Sequence, residues 1–310
     1  CKAEAIDHNQ QDATRELHVG AIIATGGFSV FDAYKKPEYG YGRYPNVVTS
    51  LQFERILSAS GPYDGHLQRP YDGKKPRKIA WIQCVGSRDV TLGNDYCSSV
   101  CCMYAIKEAI IAKEHEPEVE PTIFYIDIRA FGKGFESFYE RAKNESGVRF
   151  VRSQISSIKE DPLSRNLLLQ FVDQRDGGQR VVEESFDMVV LSVGLVSNPA
   201  MKSLADILQI QRNTFGFLEE KKLHPLQSSR EGIFLCGAGS GPKDIPETVM
   251  QGSSAAALCS EMLRSVRNTE VFTKEYPVEK EVAGREPRIG VFVCHCGINI
   301  SSVVDVDKVS

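Results

Sequence analysis

No apolar run in this sequence approaches the roughly 20 residues that a membrane-crossing helix needs, and the longest, such as Met188 to Val193, fall far short. No signal peptide opens the chain, so a cytoplasmic protein is expected. Basic residues are not in excess either: 37 Lys and Arg stand against 41 Asp and Glu, for a formal net charge of -4. The one dense basic stretch, Lys74 to Lys78, is short. Without a basic stripe to follow a phosphate backbone, nucleic acid is not an expected partner. Cysteine is too scarce for a disulfide-stapled scaffold, with nine in 310 residues and uneven placing. What remains, 42% hydrophobic and 25% charged residues, suffices for a true core and suggests about two domains.

Several segments repeat one theme, an apolar strand closed by glycine. Val19-Gly-Ala-Ile-Ile-Ala-Thr-Gly-Gly27 reads as a buried strand with a sharp turn after it, and Met188 to Gly194 and Gly232 to Ala238 read likewise. Thr49 or Ser50 is placed to cap a helix over Leu51 to Ala59 whose apolar face is Phe53, Ile56 and Leu57. Strand Ile79 to Cys84, helix Cys102 to Glu114 and strand Thr122 to Ile128 compose a βαβ unit. A helix from about Glu136 to Ser146 follows, then short strands around Val148, Leu167 and Val181, with Asp176-Gly177-Gly178 as a turn, in the manner of a β-meander. Thr248 to Arg267 is a long Ala-rich helix, Asn268 to Pro287 a charged linker, and Arg288 to Cys294 the start of a further strand.

Chemistry concentrates at the first turn of the βαβ unit. Cys84, Cys97, Cys101 and Cys102 are spaced Cys-x12-Cys-x3-Cys-Cys. Four thiolates so placed suit an iron-sulfur cubane, whose irons each take one ligand. A single zinc more often takes spaced pairs, and a redox disulfide with spare buried cysteines is a third reading; spacing alone leaves all three open. The turn that would carry Gly-x-Gly-x-x-Gly in a dinucleotide-binding unit reads Gln83-Cys-Val-Gly-Ser-Arg-Asp89. With a cysteine-bearing insertion at the phosphate position, nicotinamide binding is not expected there.

The sequence resembles the A-type flavoprotein of heterodisulfide reductases, which is built on the thioredoxin-reductase architecture. The resemblance is carried by Val19-Gly-Ala-Ile-Ile-Ala-Thr-Gly26, Tyr41-Gly-Arg-Tyr-Pro-Asn-Val47, Trp81 to Asp89, Tyr96 to Lys107, Asp127-Ile-Arg-Ala-Phe-Gly-Lys-Gly134 and Gly241-Pro-Lys-Asp-Ile-Pro246, which together span nearly the whole chain. It implies an α/β fold of thioredoxin-reductase type with an inserted Rossmann-like βαβ domain. The implied partition is the end of a ferredoxin-like insert at 1–16, an FAD-binding domain at 17–73 and 188–268, the cluster-bearing insert at 74–187, a linker at 269–287 and a further module from 288 to 310.

By the same resemblance the cofactors are FAD and a [4Fe-4S] cluster on Cys84, Cys97, Cys101 and Cys102. Thr25, Gly26, Gly27, Gly237, Ala238, Ile245, Pro246, Glu247 and Thr248 line the flavin, and Lys107 reaches its N5. The family's usual Gly-Asp is here Gly237-Ala238, which leaves backbone contact at Ala238. Cys1, Cys294 and Cys296 are further candidate cluster ligands, whereas Cys236 and Cys259 read as core residues. The implied function is electron transfer between flavin and clusters, in some members by flavin-based bifurcation. Partners are a hydrogenase, formate dehydrogenase or similar donor and an acceptor like the B- and C-type components of heterodisulfide reductase. Two other readings stand beside it, a nicotinamide-dependent disulfide reductase and a zinc-stabilised assembly scaffold.

Overall fold

The run Ile79-Ala-Trp-Ile alternates between two cores, and that alternation organises the molecule. The computed structural model describes residues 6–173, 180–295, 300 and 303–309. In it strand β4 (Lys78–Val85) sends Ala80 and Ile82 to one apolar cluster and Ile79 and Trp81 to another, as the two-residue period of a strand requires. Around it lies a five-stranded sheet in the order β3-β10-β4-β5-β6, formed by β3 (Val47–Thr49), β10 (Met188–Val193), β4, β5 (Glu120–Tyr125) and β6 (Arg149–Arg152). Every neighbouring pair is parallel. Such a sheet is covered on both faces, which is why β10 is buried at all six positions.

Three helices cover one face: α1 (Ser50–Leu57), α2 (Cys101–His115) and α3 (Phe135–Asn144). Phe53, Ile56 and Leu57 of α1 pack there with Ala105 and Ala109 of α2 and Ala142 of α3. Thr49 caps α1 through a reciprocal capping box with Gln52. The other face is covered by an antiparallel sheet, β7 (Ile158–Glu160), β8 (Leu167–Asp173) and β9 (Arg180–Phe186), through Leu167, Leu169, Phe171 and Phe186.

The remaining elements are smaller. Parallel strands β1 (Ile22–Ala24) and β12 (Ile233–Leu235) pair with one another. Helix α4 (Ala200–Leu208) meets them through Met201 and Ala205, and α5 (Ile245–Met262) meets Phe234 and Cys236 through Ala255. Strands β2 (Phe28–Val30) and β11 (Leu195–Ser197) form an antiparallel pair. The chain divides between Arg267 and Asn268, and the second unit contains a short helix, α6 (Val306–Val309).

Several boundaries differ from those expected. β1 covers only three residues, and its Ile22 and Ile23 remain more than a third exposed, because among the described residues β12 is its one partner strand. The strand expected around Val148 is β6, an edge of the parallel sheet and not part of the meander. β5 stops at Tyr125, three residues short of Ile128. Arg288 to Cys294 carry no strand. β3 and β10 lie on the β4 side of the sheet, although both fall outside 74–187 in sequence. The Asp176-Gly177-Gly178 turn lies outside the described residues.

Trp81 and Glu108 give this core a pH dependence. The indole Nε1 donates to Glu108 Oε2 at 2.9 Å, with both residues buried. Burial pushes the Glu108 carboxyl up from 4.5 to about 8, and the Trp81 bond offsets only part of that. The folded state therefore holds this proton more tightly than the unfolded chain does. No penalty exists below the unfolded pKa, and the penalty grows as pH rises toward the folded value. Glu108→Gln is expected to flatten the pH profile and raise relative stability at pH 8.5 over pH 5.5. Urea midpoints at the two pH values check it; an unchanged slope would contradict the assignment.

A candidate cluster-and-flavin site

A gap of twelve residues separates Cys84 from Cys97, and local pairing closes it. After β4 the backbone turns at Gly86, whose φ is +77° and where an added Cβ would lie 2.0 Å from the ring of Phe31. The chain then folds back on itself: Arg88 N–H donates to Tyr96 O at 2.8 Å, and Asp89 and Asn94 exchange backbone bonds of 2.8 and 3.0 Å. Lys36 fixes the far end by pairing with Asp89 at 2.9 Å. Tyr96 anchors the return, with its hydroxyl donating to Leu195 O at 3.0 Å and its ring set edge-on to Phe215 and Phe217. Cys97 is thereby returned to the neighbourhood of Cys84.

Each of the four thiols lies within electrostatic reach of the other three. Cys101 and Cys102 open α2, where the helix dipole favours negative charge. Backbone amides face two of the sulfurs: Ser99 N–H donates to Cys97 Sγ at 3.3 Å and Arg129 N–H to Cys102 Sγ at 3.5 Å. Cys84, Arg88 and Ser99 all adopt left-handed backbone, with φ of 62°, 56° and 63°, a conformation costly for such residues and concentrated at functional sites. Arg88, itself held by Asp127 at 2.6 Å, is the cation beside them.

Burial pushes the Cys84 thiol up to about 11, with the neighbouring Cys102 adding to it and Arg88 opposing it. Cys101, still more buried, is pushed up to about 12 by burial first and by Cys84 among its neighbours. Cys102 moves in the same direction, again through burial, against the pull of the Arg129 amide. Four neighbouring thiolates here would need positive charge among them. Cys84, Cys97, Cys101, Cys102, Cys236 and Cys259 are free thiols, and among the described residues no three His, Cys, Asp or Glu groups are arranged as one metal ion requires.

The glycine turns form a second locus. Gly239 would place a Cβ 3.3 Å from both Gly26 N and Gly27 N, so these two turns touch backbone to backbone, while Cys236 N–H donates to Ala24 O at 3.1 Å. Ala238 directs its carbonyl to Gly241 N–H. Lys243, inside the Gly241-Pro-Lys-Asp-Ile-Pro246 run but not among the expected site residues, staples the turn: its Nζ donates to Gly237 O, Ser240 Oγ and Gly241 O at 2.8, 2.9 and 3.1 Å. Gln251 accepts from Gly237 N–H at 2.9 Å. Helix α5 begins directly after, capped by Asp244, which takes the Glu247 amide at 2.8 Å. Thr248 N–H goes to Asp244 O and Pro246 has none, so the first-turn amide left by the cap is that of Ile245.

Lys107 stands elsewhere on α2. Five residues past Cys102 it lies about 140° around the helix, and its Nζ pairs with Glu54 of α1 at 3.0 Å, both side chains about half exposed. Cys294 is exposed, in the unit that begins at Asn268; Cys1 and Cys296 lie outside the described residues. Cys236 is buried against α5 and Cys259 partly so. No helix described is long and apolar enough to cross a membrane.

No protein-family model matches the chain. It is 49% identical over 257 residues to an A-type iron-sulfur subunit of the CoB--CoM heterodisulfide reductase of Methanopyrus kandleri, covering 82% of this chain and 39% of that protein. It is 44% identical over 281 residues to the A-type subunit of the H(2)/formate:CoB-CoM heterodisulfide,ferredoxin reductase of Methanococcus maripaludis, covering 87% and 42%. The A-type subunit of the ferredoxin/F(420)H(2)-dependent CoB-CoM heterodisulfide reductase of Methanosarcina acetivorans is 40% identical over 265 residues, covering 85% and 33%. The chain thus spans about two-fifths or less of these relatives' length. Among solved structures, thioredoxin reductases of T. acidophilum and Lactococcus lactis align over 80% and 79% of the chain and 67% and 66% of their own, at 14% and 19% identity and TM-scores of 0.47.

Proposed function

Because this chain is homologous to a segment of the A-type subunits of heterodisulfide reductases, we propose that it passes electrons between a bound FAD and a [4Fe-4S] cluster held by Cys84, Cys97, Cys101 and Cys102. The observation that carries this reading is the mutual proximity of all four thiols at the N-terminus of α2. A cubane suits them better than zinc. Adjacent cysteines such as Cys101 and Cys102 can serve different irons of one cluster, whereas a single zinc more often takes spaced pairs. When bound, FAD exchanges electrons in pairs or singly, and the cluster carries them one at a time.

The chain's own part is to place and tune. The amides of Ser99 and Arg129, the α2 dipole and Arg88 stabilise negative charge on the sulfurs. The abutting turns at Gly26, Gly27 and Gly239 and the Ile245 amide form the flavin cradle, with Thr25, Gly237 and Ala238 on the same turns, while Lys243 holds its shape. Pro246, Glu247 and Thr248 set the entry of α5 beside it. Lys107 reaches flavin only by leaving Glu54, an exposed pair that costs little to break. Residues 74–187, with β3 and β10 as shared strands, are the inserted unit in this reading. The complete protein joins a heterodisulfide reductase-type complex, with a hydrogen-, formate- or ferredoxin-linked donor, and acts in the cytoplasm. Bifurcation at the flavin is the finer form of the same proposal.

The test is chemical analysis of the anaerobically purified full-length protein for flavin, iron, acid-labile sulfide and zinc. Iron and sulfide in equal amounts are expected. Zinc in their place would overturn the cluster. A further expectation concerns NADH, whose phosphates need an open helix N-terminus and a turn free of side chains. The loop from Gly86 to Val100 fills that place, so NADH is expected not to reduce the flavin through this unit. Stopped-flow absorbance checks it; rapid reduction abolished by substitutions in residues 79–128, with iron retained, would contradict it.

A further inference from the structure

The backbone of three consecutive residues, Val193 to Leu195, takes hydrogen bonds from beside three of the four cysteines. Gly194 N–H donates to Val85 O at 2.8 Å, one residue past Cys84. Leu195 is held from both sides of Cys97: its N–H donates to Ser98 Oγ at 2.8 Å, and its carbonyl accepts from the Tyr96 hydroxyl at 3.0 Å. Val193 O accepts at 2.8 Å from the hydroxyl of Tyr104, which stands about one helical turn past Cys101. Ser98 is fully buried and Leu195 nearly so, so water does not replace these bonds when they are lost. Gly194 is glycine for a reason of space. An added Cβ would lie 2.6 Å from Ser98 Oγ and 3.0 Å from Ser87 Cβ, although the backbone there is in a conformation that alanine can adopt.

The same segment reaches the glycine turns of the flavin cradle. Gly194 O accepts from Phe31 N–H at 2.8 Å, and β11, which starts at Leu195, pairs with β2 from Val30 back to Phe28. Phe28 follows directly on Gly27. A second brace runs to the facing turn: the Tyr96 ring lies edge-on to Phe217 at 5.7 Å, and the next residue, Leu218, donates its N–H to Gly239 O at 2.9 Å. Close-packed interiors transmit strain and do not absorb it, so a shift of the loop around Cys97 is passed on to β11, β2 and the turn at Gly27.

We propose that Val193 to Leu195 is a strut that fixes the cysteine loop against the flavin turns, with Ser98 and Tyr96 as the residues that position Cys97 on it. The strut rests on the cluster-and-flavin reading and adds to it what holds the two sites at one spacing. It sets where the turns lie relative to the loop, while Lys243 and Gln251 hold the shape of the Gly237 turn. Hydrogen bonds to the sulfurs tune an iron-sulfur cluster, and release of Ser98 acts on one of them, the Ser99 amide that donates to Cys97 Sγ at 3.3 Å.

The test uses the anaerobic full-length protein with Ser98→Ala, Tyr96→Phe and Gly194→Ala. Ser98→Ala leaves the Leu195 N–H without its acceptor, and Tyr96→Phe removes one bond while keeping the ring. Ser228→Ala, at another buried serine whose hydroxyl bonds to backbone, both the carbonyl and the amide of Arg230, controls for the loss of a buried hydroxyl as such. The g-values of the dithionite-reduced cluster in electron paramagnetic resonance are expected to shift in Ser98→Ala, to shift less in Tyr96→Phe, and to stay in place in Ser228→Ala. The visible circular dichroism of bound FAD is expected to change in Ser98→Ala and Gly194→Ala, with flavin content retained. Wild-type g-values in both Ser98→Ala and Tyr96→Phe would overturn the positioning of Cys97, as would an equal shift in Ser228→Ala. Unchanged flavin dichroism in both Ser98→Ala and Gly194→Ala would overturn the strut, and that readout holds in iron-free protein too. Wild-type protein with flavin and no iron counts against the cluster alone, whereas iron-loaded variants with unmoved spectra sink the strut alone.

Discussion

Cys101→Ala is expected to remove about four irons and four sulfides per chain, while Cys259→Ala removes none. Cys101 is buried at the first position of α2, and its thiol lies within electrostatic reach of Cys84, Cys97 and Cys102. Val100 supplies no capping side chain there, and the other thiols described in the same unit, Cys236 and Cys259, belong to the β12–α5 contact. Loss of one ligand therefore leaves an iron corner open, and the thiols of Cys84 and Cys102, pushed up by burial, return to their neutral form. Flavin content should be retained, because the glycine turns are pinned by Lys243 and Gln251 and not by the cysteine loop. Iron, sulfide and flavin assays on the full-length variant check this; undiminished iron would remove Cys101 from the ligand set.

Trp81→Ala carries the second large effect, on stability. The indole is fully buried in the cluster between the sheet and α1, α2 and α3, with its ring perpendicular to Phe53 at 5.2 Å. Truncating a buried aromatic to alanine costs about 3–5 kcal/mol through lost contacts and the cavity left behind. Here the Glu108 carboxyl also loses its donor, which adds about 1–3 kcal/mol for an unsatisfied buried polar group. Against a typical domain stability of about 5–15 kcal/mol, that is enough to unfold much of the population. Trp81→Phe separates the two parts, since it keeps most of the ring volume but not the N–H. Urea unfolding should order the proteins as wild type, Trp81→Phe, Trp81→Ala; a Trp81→Phe midpoint equal to wild type would show that Glu108 does not depend on the indole.

The elements legible in the sequence are those whose pattern is complete within themselves. Thr49 with Gln52 and the apolar trio Phe53, Ile56 and Leu57 define α1 locally, and the unbroken apolar run from Met188 defines β10. β6 is different: Arg149-Phe-Val-Arg152, two apolar residues between two arginines, suits a meander strand as well as a parallel edge, and only the distant partner β5 decides between them. The exposure of Ile22 and Ile23 follows from how few strands reach β1, which periodicity does not record. At the candidate site, cysteine spacing marks four thiols, but not the left-handed backbone at Cys84 and Ser99 or the Arg129 amide that faces Cys102. Lys243 stands inside a run conspicuous for its glycines and prolines, and its bonds to three groups of the turn depend on tertiary geometry.

Diffraction from crystals of the anaerobic full-length protein, collected on either side of the iron absorption edge, tests the central claim most directly. An iron anomalous peak the size of a cubane is expected among the Sγ atoms of Cys84, Cys97, Cys101 and Cys102, at the N-terminus of α2. A zinc peak there, a disulfide between two of the four, or no iron within ligand distance of them would contradict the assignment.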